Sequence, residues 1–502
     1  MATKIKLSDQ QLAIVEWVKN GSGNALIEAV AGAGKTFILV KILKYMKGWV
    51  FLGAFNNRMG YELKEKTKGM NQVKAGTFHS AGFGALRFRY KDIQLDNNKV
   101  RDMVHGYIEH EAPYMLPYKA FIIKAVGLAK DTGIGFFNNL NDIQPWYDMV
   151  DKFDLIDDIP EGMDVEEGII AAMSILTASN ANLKIIDFAD MIYLVLINNI
   201  RMLQNDWVLI DEAQDTNPTR RALAKKMLKP GGRLIAVGDP RQAIFGFTGA
   251  DNDALDLIAE EFNTTTLPLT NTFRCPKVIV KHARQWVDHI TAYDTNPEGE
   301  FIQTKFDDVF GDKSEYTFTK DDAIICRVNA PIVELAFKLI RKGIPCRIEG
   351  RDIGTQLAAL AGKWKIKGLD VLRDRLEKYQ AREVQKAMSQ GKEQKADMIN
   401  DRVNCLFVLI ERAEEQRLDV DGLITMIKGM FSDSTDKNTD PNLLTLSSVH
   451  KFKGLERKRI FLLGRQEHMP SSYARQEWQM KQEMNLIYVA ITRAMETLIE
   501  VD

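Results

Sequence analysis

Two hydrophobic periods alternate along the chain. Apolar runs of strand length recur at Trp49–Ala54, Val208–Ile210, Leu234–Val237, Ala323–Cys326, Ile460–Leu463 and Thr497–Val501. They are nearly continuous rather than alternating, as expected of strands buried on both faces of a parallel sheet. Helical spacing fills the stretches between them, so the series predicts α/β units. Near the N-terminus, NALIEAV predicts another buried strand and TFILVKILKYMK a helix soon after it. Two long stretches, Ala81–Ile186 and Arg351–Pro441, carry helical patterning alone. They read as insertions into a two-part α/β frame.

The turn between that first strand and its helix reads AVAGAGKT, Ala29–Thr36. A Gly-rich turn in this place lets the backbone N–H groups of Ala31, Gly32, Ala33 and Gly34 close around a polyphosphate. Lys35 supplies charge to the outer phosphates, and the Thr36 hydroxyl can ligate Mg2+. Downstream, WVLIDEAQD ends a predicted strand in acid. Asp211 is then placed at the sheet edge as the second metal ligand. Glu212 beside it is the candidate to orient and deprotonate an attacking water. Gln214 and Gln242 suit sensing of a γ-phosphate. Arg274 in LTNTFRCP and Arg493 in IYVAITRAMET are candidates to stabilise transition-state charge. These residues point to hydrolysis of ATP with Mg2+.

Composition narrows the class without changing that picture. A chain of 502 residues with 45% hydrophobic and 27% charged residues has the makeup of an ordinary globular protein of several domains. Its four cysteines are scattered without a CxxC pair, which predicts neither a disulfide framework nor a zinc site and fits a reducing cytoplasm. No apolar stretch approaches membrane-spanning length, so no membrane partner is expected. The formal net charge of −1 means that nucleic acid, if bound, is held by a local groove and not by a basic surface overall. The acidic run Asp148–Glu167 reads as a solvated face in preference to a docking surface. The basic stretch Lys363–Lys395 reads equally as a charged helix surface or a nucleic-acid contact.

Ten strings occur in order: LSDQQ, AVAGAGKT, AFNNRMGYEL, GTFHS, DFADMI, VLIDEAQD, VGDPRQAIFGFTGA, NTFRCP, SSVHKFKGLE and IYVAITRA. Together they resemble the superfamily 1 helicase motifs of the UvrD/Rep/PcrA group. The resemblance implies two RecA-like P-loop motor domains with parallel sheets and ATP bound between them, each carrying a mostly helical inserted subdomain. Residues 1–80 with 187–272 would form the first motor domain and 81–186 its insertion. Residues 273–350 with 442–502 would form the second, and 351–441 a reduced insertion. It further implies that Gln11 contacts adenine, that Phe273 stacks on it, and that Glu456 lies near the ribose. Lys35, Thr36, Asp211, Glu212, Gln242, Arg274 and Arg493 would surround the triphosphate. The DNA track would include Phe55, Asn57, His79, Phe245, Phe247 and His450; flat aromatic faces among them stack unpaired bases regardless of sequence.

The strings also depart from the group's pattern. Phe37 stands where an Arg commonly packs on adenine, keeping a stacking surface at the nucleotide but not the charge. Phe247–Ala250, FTGA, replaces an aromatic-Arg-Gly-Ala ending. The second insertion is short, and the chain stops soon after its last motif, so it reads as a stripped-down motor. The expected activity is 3′ to 5′ translocation on single-stranded DNA and unwinding of 3′-tailed duplex, in replication, recombination or repair, in a bacterial or phage-infected cell. The alternatives are a translocase with little unwinding of its own, or a nucleic-acid-sensing ATPase subunit. A protein partner such as a nuclease or a replication factor is allowed for.

Overall fold

The apolar runs become two all-parallel sheets. The computed structural model describes residues 6–502 apart from 160–161, 245, 247–250, 252, 345, 390–392, 433–442, 473 and 475. It divides into two units: Met1–Val30 with Gly34–Leu269, and Ala31–Ala33 with Thr270–Asp502. In the first, strands β1 (Asn24–Ala29), β2 (Val50–Ala54), β3 (Val73–Thr77), β4 (Asn205–Ile210), β5 (Leu228–Gly238) and β6 (Thr264–Leu269) run in the order β3-β2-β4-β5-β1-β6. Every pairing is parallel. The C-terminal ends of β4, β5 and β1 therefore lie side by side on one edge, where ligands of open α/β sheets collect.

Between β3 and β4 the chain is helical, as expected, with helices Lys99–His110, Lys119–Thr132, Gln144–Lys152 and Val165–Ala181. A two-residue parallel pairing of Gln94–Leu95 with Ile185–Ile186, which the pattern does not predict, joins the two ends of this segment. The helices share one continuous core with the sheet, in which Val104, Phe121 and Trp146 join Phe51, Val208 and Leu234. The acidic run is used locally. Asp164 caps helix Val165–Ala181 through the Glu166 N–H, and Asp158 pairs with Lys124 at 3.1 Å.

DFADMI proves to be a buried ionic lock. Asp190 lies 2.7 Å from both Lys99 Nζ and Lys130 Nζ, and Lys130 also donates to Asp187 at 2.5 Å. Lys99 and Lys130 come from two of the inserted helices, while Asp190 begins the helix Asp190–Ile197 that leads back to β4. All three side chains are sealed from solvent. Removing one member of a buried network strands the others, typically at about 3–5 kcal/mol. Asp190→Ala should therefore lose stability of that order in denaturant titration. A loss below about 1 kcal/mol would mean that the lock is a dispensable surface-type pairing.

The second unit carries β7 (Glu300–Thr304), β8 (Asp322–Cys326), β9 (Cys346–Glu349), β10 (Phe431–Ser432), β11 (Leu444–Ser448), β12 (Arg457–Leu463) and β13 (Ala494–Val501). Their order is β7-β13-β12-β8-β11-β9-β10, again parallel throughout. Helices Arg351–Gly362, Leu369–Ser389, Glu393–Glu415 and Val420–Met430 lie between β9 and β10. Leu372, Val403 and Leu406 of these helices join Ile324 and Phe461 of the sheet in one core. Within the basic stretch, Arg373 pairs with Glu414, Lys378 with Asp374 and Arg382 with Glu383. Paired cations of this kind favour the charged-surface reading.

All four cysteines are free: Cys275, Cys326 and Cys405 are buried and Cys346 half-buried. Burial pushes the thiols of Cys326 and Cys346 up to about 12 and raises those of Cys275 and Cys405. No helix among the described residues is long and apolar enough to cross a membrane.

Candidate functional site

The phosphate-loop geometry depends on two glycines. Gly32 and Gly34 have φ of +71° and +79°, the left-handed region that side-chain-bearing residues avoid. Gly34 is the N-cap of helix Lys35–Ile42, so the loop delivers chain directly into a helix start whose free N–H groups and dipole favour an anion.

Around that helix start the first unit brings together Lys35, Thr36, Asp211, Glu212, Gln214 and Gln242 of the predicted set. Lys35 Nζ lies 2.9 Å from Glu212 Oε2, and the Thr36 hydroxyl donates to Asp211 Oδ2 at 3.1 Å. Gln214 donates through Nε2 to Glu212, and its Oε1 accepts the Asp239 N–H at 3.0 Å. Gln242 donates to Asp239 Oδ2 at 2.6 Å. The ends of β1, β4 and β5 are thus tied into one polar cluster. Asp239 is the member that the motif reading passed over. It follows an apolar strand as Asp211 does, so the same strand-end rule would have found it.

The electrostatics fit a site built for a cation and phosphates. Burial, then the neighbouring Glu212, pushes the Asp211 carboxyl up to about 6 against the pull of Lys35. Burial likewise raises Asp239, with Lys35 opposing. At Lys35 itself burial works downward, but Glu212, Asp239 and Asp211 outweigh it and hold the ammonium charged. Three carboxylates facing one lysine leave an excess of buried negative charge. Among the described residues no three His, Cys, Asp or Glu side chains form a self-sufficient metal cluster. Mg2+ does not need one, since it typically takes one or two protein oxygens and completes its shell with water and phosphate. The oxygens of Thr36 and Asp211 fit that donor set.

The other nucleotide residues vary in how they are held. Gln11 is buried in a capping box: its N–H donates to Ser8 Oγ, and its Oε1 accepts the Ser8 N–H at 3.2 Å. Phe37 is half-buried with Lys41 over its ring. In the second unit, Phe273 is 37% exposed and its ring lies 4.6 Å from that of Tyr293. Arg274 pairs with Glu456 and donates to Thr492 O. Arg493 is buried beside them, donating to Val489 O at 2.9 Å and to Leu455 O at 3.4 Å. Arg274, Glu456 and Arg493 are therefore one cluster.

Of the predicted DNA track, Phe245 and Phe247 lie outside the described residues. Phe55 follows β2 and carries the Arg220 guanidinium over its ring at 4.8 Å. Asn57 is exposed at the start of helix Asn57–Lys66. His79 stacks on the half-exposed Phe188 at 3.9 Å, and burial, then Arg220, pulls it down to about 3. His450 in the second unit is lowered similarly by burial, Arg327 and Lys453. Burial thus keeps both rings uncharged at physiological pH.

Comparison with known proteins matches residues 7–263 to the UvrD/REP helicase N-terminal domain and residues 364–500 to the UvrD-like helicase C-terminal domain. The chain belongs to the UvrD/Rep helicase family. Similar relatives include the ATP-dependent DNA helicase Srs2 of Schizosaccharomyces pombe, 24% identical over 67% of this chain and 44% of that protein. The ATP-dependent DNA helicase Rep of Buchnera aphidicola is 25% identical over 54% of this chain and 43% of its own length. UvrD1 of Mycobacterium tuberculosis is 24% identical over 65% and 48%. The chain spans about half the length of the curated relatives that it matches.

Proposed function

We propose that this UvrD/Rep-family chain hydrolyses ATP to translocate 3′ to 5′ along single-stranded DNA, and that it separates 3′-tailed duplexes during replication, recombination or repair. The observation that carries the reading is the Lys35–Glu212 and Thr36–Asp211 pairing, at the start of a helix fed by a phosphate loop. In this reading the loop N–H groups and Lys35 hold the β- and γ-phosphates. Thr36 and Asp211 hold Mg2+, which when bound neutralises phosphate charge. Glu212, fixed by Gln214, orients the attacking water and accepts its proton, while Gln242 responds to the γ-phosphate. Arg274 and Arg493 are assigned the charge that develops in the transition state. Gln11, Phe37, Phe273 and Glu456 are assigned the nucleoside. Phe55, Asn57, His79 and His450 are assigned DNA, together with Phe245 and Phe247.

The test is ATPase rate with and without single-stranded DNA, followed by strand displacement on duplexes with a 3′ or a 5′ tail. The expected result is strong stimulation, with displacement from the 3′ tail alone. Displacement from the 5′ tail would reverse the polarity. Stimulation without displacement would instead support a translocase or a sensing subunit of a nuclease or defence complex. ATPase indifferent to DNA would overturn the motor reading.

A further inference from the structure

Arg220 touches two parts of the first unit that have separate proposed tasks. Its guanidinium covers the Phe55 ring at 4.8 Å, and its Nη1 donates to the Asp215 carbonyl at 3.0 Å. Asp215 closes the short helical turn Ala213–Asp215, whose N-cap is Glu212. One side chain therefore spans from an aromatic assigned to DNA to the turn that carries the residue assigned to activate water.

A cavity of about 10 Å³ is lined by Phe55, His79, Asp211, Glu212, Thr216 and Arg220. That volume accepts at most one water molecule, far less than a base or phosphate. Side-chain contact links the two places, and Arg220 supplies it.

The receiving end is poised to respond. Glu212 has φ of +52°, in the left-handed region. A non-glycine residue held there gives up about 1 kcal/mol or more of backbone energy, so the surroundings must hold it in place. Lys35 and Gln214 hold the Glu212 side chain, and the Asp215 carbonyl holds the far end of the turn through Arg220. The Asp131 and Asp215 carboxylates attract the guanidinium, and Asn217 donates to Asp131 at 2.9 Å. The buried Arg220 Nε–H has no acceptor among the described residues, so the guanidinium is not fully bonded where it rests.

Resting on the proposed function, we propose that Arg220 is a positioning residue that couples DNA occupancy of the Phe55 face to the orientation of Glu212 through the Asp215 carbonyl. A base seated on Phe55 moves or displaces the guanidinium. The turn follows, and Glu212 shifts between resting and water-activating positions. In this scheme Arg220 acts on the chemistry only through Glu212 and does not touch the nucleotide.

The test uses the full chain and an oligo-dT strand. Arg220→Gln keeps a polar tip but is too short to bridge ring and carbonyl. It should cut DNA stimulation of kcat by about tenfold or more, within the usual span of coupling between sites. KM for ATP should change little, and basal kcat should fall far less than the DNA-stimulated rate. Arg220→Lys, which keeps a cation able to reach the ring, should recover part of the stimulation. In a Phe55→Leu background Arg220→Gln should cost nothing further, because partners in one route are non-additive. Wild-type stimulation in Arg220→Gln would overturn the coupling, as would equal falls in basal and stimulated rates. Full additivity with Phe55→Leu would also overturn it. A wild-type chain that DNA does not stimulate would instead overturn the motor reading on which the coupling rests.

Discussion

Lys35→Ala should reduce ATP turnover by about 10²- to 10³-fold or more, the usual cost of removing one preorganised charge-stabilising group. The ammonium pairs with Glu212 and is drawn by Asp239 and Asp211, the buried acidic cluster at the strand ends. Its loss removes positive charge from the phosphates and also leaves those carboxylates to repel the nucleotide. Both ATP affinity and kcat should therefore fall. Steady-state ATPase with a fluorescent-nucleotide titration reads both quantities. A variant retaining a tenth of wild-type activity would place the triphosphate elsewhere.

Glu212→Gln should separate binding from chemistry. Glutamine preserves the size of the side chain and an oxygen facing Lys35 and Gln214, but it cannot take a proton. General-base loss typically costs about 10²- to 10⁴-fold in kcat. ATP affinity should stay near wild type or rise, because one negative charge leaves the phosphate site. Single-turnover hydrolysis beside nucleotide binding distinguishes this from Lys35→Ala, where both fail. If Glu212→Gln lost binding and turnover together, Glu212 would be a structural anchor for Lys35 and not the base.

Strands with bulky apolar side chains were legible from sequence, because burial on both faces imposes an almost continuous apolar run. Those built from small polar residues were not. β11, LTLSS, is buried at every position, yet its Thr and Ser interrupt the apolar run; Ser447 satisfies its hydroxyl on the Ser448 carbonyl. β6, TTTLPL, contains Pro268, which argues against a central strand and fits the sheet edge that it occupies. β7 is an edge strand as well, with EFIQT too mixed to stand out. At the site, strand ends announced Asp211 and could have announced Asp239. The capping box Ser8-x-x-Gln11 was also readable as a helix start. Arg220 itself lies outside the ten strings, and its contact with Phe55, far away along the chain, is invisible in the one-dimensional pattern.

The buried thiols have a practical consequence for watching this protein at work. Maleimides and related dyes react with an accessible thiolate, and the native cysteines offer little of one near neutral pH. A cysteine introduced at an exposed site such as Tyr61 or Asp294 can therefore carry a fluorophore without first replacing Cys275, Cys326, Cys346 and Cys405. Single-molecule recordings of labelled chains on DNA then begin from a fully native interior.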